Sequence, residues 1–207
     1  MGEARVCHTS DGLDLEAEFA PVRSGHPHAG VVLCHPHPQF GGTMRSIVVS
    51  ALFEALPDRG VACLRFNFRG VEGSEGEYTE GAQEPQDVVS ALDVIAGELH
   101  PSVPIMLVGW SFGGDMALTV TDDRVAGWVG IAPPLRFSAI TERVGGDPRP
   151  KLLVLAQHDE FRPPSEIESA TQSWVNTRRT IVPGASHFFI GRTDHVVDAT
   201  ATFIVEM

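Results

Sequence analysis

Ile105-Met106-Leu107-Val108-Gly109-Trp110-Ser111-Phe112-Gly113-Gly114 is the stretch that decides how the chain folds. A short apolar run after Pro104 reads as a buried strand. It passes into Gly-x-Ser-x-Gly, and residues 113–121 then allow a helix in spite of their glycines and β-branched residues. Strand, sharp turn and helix form the context in which a serine is lifted above a sheet with its hydroxyl exposed. Side chains at positions 109 and 113 would collide with such a turn, and Gly114 adds further room. The helix N-terminus below the serine offers free N–H groups and a positive dipole end. The Phe112 N–H is the natural first donor to a developing oxyanion.

Outward from this turn, short apolar runs alternate with helical patterns. That alternation is the signature of an α/β fold: a mostly parallel central sheet with helices on both faces. Residues 13–19 alternate apolar and polar and predict an early antiparallel strand. Residues 30–34, 60–68, 104–109, 125–131, 151–156 and 179–182 predict further strands. Helical spacing covers 46–56, 85–99, 163–174 and 189–205, with Pro85 suited to a first turn. The stretch 133–150 is short and rich in Pro and Gly, which leaves little room for a cap domain. No linker, repeat or charge block divides the chain, so 1–207 is expected to form a single domain.

Composition narrows the partners. Hydrophobic residues make up 43% and charged residues 20%, with a formal net charge of −12. An acidic chain repels phosphate backbones and anionic bilayers, so neither nucleic acid nor a membrane is an expected partner. No apolar run is long enough to span a bilayer, and the first residues are not those of a secretory signal. Cys7, Cys34 and Cys63 are odd in number, and two of them sit in apolar runs. A reduced cytoplasmic protein fits this better than a disulfide scaffold. The sequence leaves a homo-oligomer open.

A serine hydroxyl needs a neighbouring base, and the base needs a partner to fix its tautomer. On a scaffold of this type the chain order is serine, acid, histidine. Strand 151–156 runs into Gln157-His158-Asp159-Glu160-Phe161. Asp159 is the first choice for the acid, ahead of Glu160. Histidine follows in Pro183-Gly184-Ala185-Ser186-His187, on a loop beyond the last strand, where a base is readily presented. His195 falls inside the final helix and His158 precedes the acid, so both are poorer candidates than His187.

A second oxyanion donor is expected from the loop after strand 30–34, which reads His35-Pro36-His37-Pro38-Gln39-Phe40-Gly41-Gly42-Thr43-Met44. Pro36 and Pro38 have no N–H; Gln39 and His37 are favoured, and Phe40 also has one to offer. The two histidines lack the spacing of a strong metal site, and no metal is assigned. Neither a dinucleotide-binding nor a phosphate-cradling motif is present, and no cofactor is expected.

Three stretches together resemble a known family: His35-Pro36-His37-Pro38 followed by Gly41-Gly42-Thr43-Met44, then Arg65-Phe66-Asn67-Phe68-Arg69-Gly70-Val71-Glu72-Gly73-Ser74-Glu75-Gly76, then Gly109-Trp110-Ser111-Phe112-Gly113-Gly114. The chain is similar to the small, cap-less α/β-hydrolases described as serine esterases. That resemblance implies the α/β-hydrolase fold and a triad of Ser111, Asp159 and His187. Glu72 departs from it, since relatives more usually carry glycine after the Arg-Gly-Val run; this bears on the path of that loop. Asn67 and Arg69 are candidates either to line the site or to tie down the glycine-rich loop.

The expected chemistry is hydrolysis of carboxylic esters with small or medium acyl groups through an acyl-enzyme on Ser111. Phe40, Trp110, Phe112, Phe161 and Phe188 are candidates for the apolar wall of a pocket, and each reads equally well as core. The same triad would also serve a thioesterase, an amidase or an acyltransferase, because fold does not choose among them. A non-catalytic binding module built on the same scaffold is the rival from outside the enzymes.

Overall fold

The computed structural model describes residues 2–137 and 143–206. Eight strands form one sheet: β1 (Glu3–His8), β2 (Asp14–Ala20), β3 (Ala29–Cys34), β4 (Val61–Phe66), β5 (Ile105–Trp110), β6 (Val125–Ile131), β7 (Lys151–Ala156) and β8 (Thr177–Val182). Their spatial order is β1-β2-β4-β3-β5-β6-β7-β8. β2 pairs antiparallel with both β1 and β4, and all other pairings are parallel. Among the described residues, α1 (Ile47–Ala55), α2 (Glu84–Glu98), α3 (Phe112–Thr119) and α4 (Pro164–Ala170) connect strands, and α5 (Thr193–Val205) follows the last one.

The side-chain period of two along the central strands divides the core. Val32, Cys34, Leu107, Leu153 and Leu155 face the layer of α2, α3 and α4. Val31, Leu33, Met106, Val108, Leu152 and Val154 face the layer of α1 and α5. β3, β5 and β7 are buried along their whole length, which explains their apolar sequences; the one charge, Lys151 of β7, donates to the Asp147 and Arg149 carbonyls. Each such Val or Leu contributes about 1.5–3 kcal/mol on burial.

Two expectations need correcting, and the fold adds one strand. β1 is a strand although its sequence shows no clear alternation; of its side chains only Cys7 is buried, and pairing with β2 creates it. The final helix starts at Thr193, because left-handed backbone at Phe189 (φ 52°) and Gly191 (φ 69°) keeps residues 183–192 as a loop. The helix expected over 163–174 stops at Ala170. The cap-free connection expected over 133–150 falls partly on residues 138–142, which lie outside the described residues. Among the described residues this connection carries no cap domain. Among them, too, no helix is long and apolar enough to cross a membrane.

Candidate active site

β5 ends at Trp110 and α3 begins at Phe112, so Ser111 alone makes the turn. Its backbone sits at φ 54°, ψ −122°, a conformation that costs an L-residue about 1–3 kcal/mol. The surroundings enforce it. The Ser111 N–H donates to the Ile131 carbonyl of β6 at 2.8 Å. A Cβ at Gly109 would lie 2.1 Å from the Gly113 oxygen, and one at Gly113 would lie 2.3 Å from the Cys34 oxygen. Because β3 and β5 are paired neighbours, with Cys34 opposite Gly109, the loop leaving β3 is pressed directly against the serine turn.

Parallel strands deliver the other groups to the same end of the sheet. Asp159 follows β7, and His187 follows β8. His187 Nε2 lies 2.9 Å from Ser111 Oγ, and His187 Nδ1 lies 2.8 Å from Asp159 Oδ2. An ionised Asp159 only accepts, so Nδ1 carries the proton and Nε2 is free to accept from the serine hydroxyl. The other carboxylate oxygen accepts from the Phe161 and Arg162 N–H groups at 2.9 and 3.1 Å. Asp159 and His187 are buried. Glu160 does not reach the imidazole; its Oε2 accepts from the His187 backbone N–H at 3.1 Å. His195 is exposed on α5, and the exposed His158 joins the base loop through its backbone N–H to the Ala185 carbonyl.

The loop after β3 is shaped by its own histidines. His35 is fully buried: Nδ1 donates to the Pro36 carbonyl at 2.6 Å and Nε2 accepts from the Phe68 N–H at 3.0 Å. Burial pushes its pKa down to about 4, so the neutral ring holds two strand exits together. His37 caps the 3₁₀ turn Pro38–Phe40; its Nδ1 accepts from the Gln39 N–H at 3.3 Å and its Nε2 faces Tyr78 Oη at 3.0 Å. The Gln39 N–H is thereby engaged. Among the described residues, the N–H groups of His37 and Phe112 have no protein acceptor.

Asn67 and Arg69 turn out to be struts and do not line the cleft. Asn67 Oδ1 accepts from the Met44 N–H at 2.8 Å, which fixes the Gly-Gly-Thr-Met segment, while its Nδ2 donates to Glu16 and Glu72. Arg69 is buried against Asp87, with a closest approach of 2.6 Å. Glu72 has φ 48°, which is why glycine suits this position. Its carboxylate is held by Asn67 and by Arg45 at 3.1 Å.

Around Ser111 lies a cleft of about 690 Å³. Phe40, Trp110, Phe112, Phe161 and Phe188 line it, together with Ile47, Tyr78 and Phe137. Phe40 is 85% exposed and Phe161 57%, so two aromatic rings stand open on the loops that carry His37 and Asp159. The sequence reading missed Asp115, one helical turn beyond Ser111. It is fully buried and accepts from the Leu135 and Arg136 N–H groups at 2.8 and 3.0 Å, which pins the cleft wall after β6. Burial pushes its carboxyl up to about 7. A Ser-x-x-x-Asp spacing at a helix start was the available signal, but only the tertiary fold brings 135 and 136 above it.

An eight-stranded sheet in this order, with a strained serine turn between a central strand and its helix, defines an α/β-hydrolase. The family model described as serine aminopeptidase, S33 (Hydrolase_4) matches residues 25–203, and the chain belongs to that family. A solved α/β serine hydrolase homologue from Coxiella burnetii is 30% identical over 97% of this chain and 96% of its own, with a TM-score of 0.85. A serine hydrolase without lid from Xanthomonas campestris is 24% identical over 99% and 94% of the two chains, at 0.82. An esterase from Pyrococcus furiosus, 15% identical over 100% and 92%, shares the fold at 0.84.

Proposed function

We propose that the protein is a serine esterase in which Ser111 is the nucleophile, His187 the general base and Asp159 the group that orients it. The observation that carries this reading is the unbroken line from Ser111 Oγ through His187 to Asp159, at 2.9 and 2.8 Å, beside a cleft. His187 Nε2 takes the serine proton as Oγ attacks the ester carbonyl. Asp159 stabilises the imidazolium that forms. The N–H groups of Phe112 and His37 receive the developing oxyanion; Gln39 is the weaker candidate because its N–H is already engaged. The imidazolium then protonates the leaving alcohol, and a water activated by His187 releases the acid.

The apolar walls of the cleft favour an uncharged small-molecule ester, with an acyl or alcohol group that can lie against Phe40 and Phe161. An esterase among the structural neighbours supports the same reaction class. Three buried free thiols, Cys7, Cys34 and Cys63, support a reducing compartment such as the cytoplasm.

A fluorophosphonate probe tests the proposal together with a panel of p-nitrophenyl esters, acyl thioesters and anilides. Wild-type protein is expected to be labelled on Ser111 and to turn over the esters fastest. Ser111→Ala loses both properties while staying folded. A folded wild-type protein that takes no label would remove the nucleophile, and faster thioester or anilide turnover would change the substrate class.

A further inference from the structure

Four successive residues of the acid loop each hold the base loop. Gln157 Oε1 accepts from the Gly184 N–H at 2.7 Å, and the His158 N–H donates to the Ala185 carbonyl at 2.8 Å. Asp159 Oδ2 meets the imidazole of His187 at 2.8 Å, and Glu160 Oε2 accepts from the His187 N–H at 3.1 Å. Acid and base are thereby one mechanical unit. That unit must still be registered on the strand that bears the nucleophile, and a single Ser–His hydrogen bond is broken at every turnover.

Among the described residues, one other hydrogen bond joins the base loop to the serine turn. The Trp110 indole N–H donates to the His187 carbonyl at 3.1 Å. Sheet parity explains why it reaches. Trp110 shares a face with Met106 and Val108, toward α1 and α5, and the loop carrying His187 leads into α5 on that side. Trp110 is buried, and its neighbour in sequence is Ser111, so the indole is rigidly tied to the nucleophile's own backbone. The His187 residue is therefore gripped at both of its peptide groups: N–H by Glu160, carbonyl by Trp110.

We propose that Trp110 is a positioning residue, not only pocket wall: its N–H sets the distance from the base loop to Ser111, and Glu160 holds the same residue at its N–H. This rests on the assignment of Ser111 and His187 above. A misplacement of the base by a fraction of an ångström to 1 Å slows proton transfer by about tenfold to a hundredfold. Phenylalanine keeps an aromatic wall at position 110, so the loss falls mainly on kcat. The Asp159–His187 contact is also kept.

The test compares wild type, Trp110→Phe, Glu160→Ala and Glu160→Gln in p-nitrophenyl ester turnover, fluorophosphonate labelling rate and thermal unfolding. The expected result for Trp110→Phe is kcat and labelling rate lowered together by about tenfold or more, well beyond any change in KM. Glu160→Gln, which keeps an oxygen acceptor, should retain more turnover than Glu160→Ala. Trp110→Phe with wild-type kcat and labelling rate would overturn the inference while leaving the nucleophile assignment standing. Unlabelled wild type would remove the assignment itself. If Trp110→Phe does not fold, the Glu160 pair decides: equal kcat for Ala and Gln overturns the two-sided grip.

Discussion

Replacing Ser111 by glycine should make the protein more stable than replacing it by alanine. Both substitutions delete Oγ and the hydrogen bond to His187, so their difference isolates the backbone. At φ 54°, ψ −122°, a residue with a Cβ carries about 1–3 kcal/mol of strain. Glycine escapes that strain but loses about 0.5–1 kcal/mol through the greater freedom of its unfolded chain. The net expectation is Ser111→Gly more stable than Ser111→Ala by about 1 kcal/mol, or roughly 2–4 °C in Tm for a chain of this size. Urea unfolding with tryptophan fluorescence, backed by calorimetry, measures the difference on two inactive proteins. Equal stabilities, or alanine above glycine, would mean that the turn is not strained. The account of why the hydroxyl stands clear of the sheet would then fail.

Two further outcomes follow from the same geometry. Gly113→Ala puts a Cβ at 2.3 Å from the Cys34 oxygen and 2.4 Å from the His35 oxygen, backbone atoms with little freedom to yield, and should cost about 3 kcal/mol. The control is Gly97→Ala on α2, where nothing lies within 4 Å and a gain of about 0.5–1 kcal/mol is expected; equal effects at the two sites would discredit the close-approach argument. The second concerns Asp115, whose carboxyl is pushed up to about 7, first by burial and against the pull of the Leu135 and Arg136 N–H groups and of Arg136 and Arg162. Between about pH 4 and 7 the folded protein keeps a proton that the unfolded chain has released, so this group makes stability fall as pH rises through that window. The effect is at most on the order of 4 kcal/mol. Asp115→Asn should therefore flatten the decline in urea-unfolding stability from pH 5 to 7, and parallel curves for the two proteins would refute the assignment.

The sequence alone carried the architecture and pointed to the residues of the candidate site. Apolar runs at strand length alternating with helical spacing are a local record of a buried parallel sheet, and Gly109, Ser111 and Gly113 record a turn that tolerates nothing larger. Chain order pointed to Asp159 and His187 because parallel strands β7 and β8 must both discharge their loops at one end of the sheet. What had no local signature was left to the tertiary fold. β1 exists through its pairing with β2, and the base loop persists to Thr193 because Phe189 and Gly191 adopt left-handed backbone. The roles of Trp110, Glu160 and Asp115 depend on hydrogen bonds to carbonyl and amide groups tens of residues away. Any side chain of suitable polarity could be read as pocket wall or solvated acid until the partner backbone is in place. Periodicity and turn chemistry are properties of neighbours along the chain, whereas the registration of one loop on another is a property of where the sheet's strand order puts their ends.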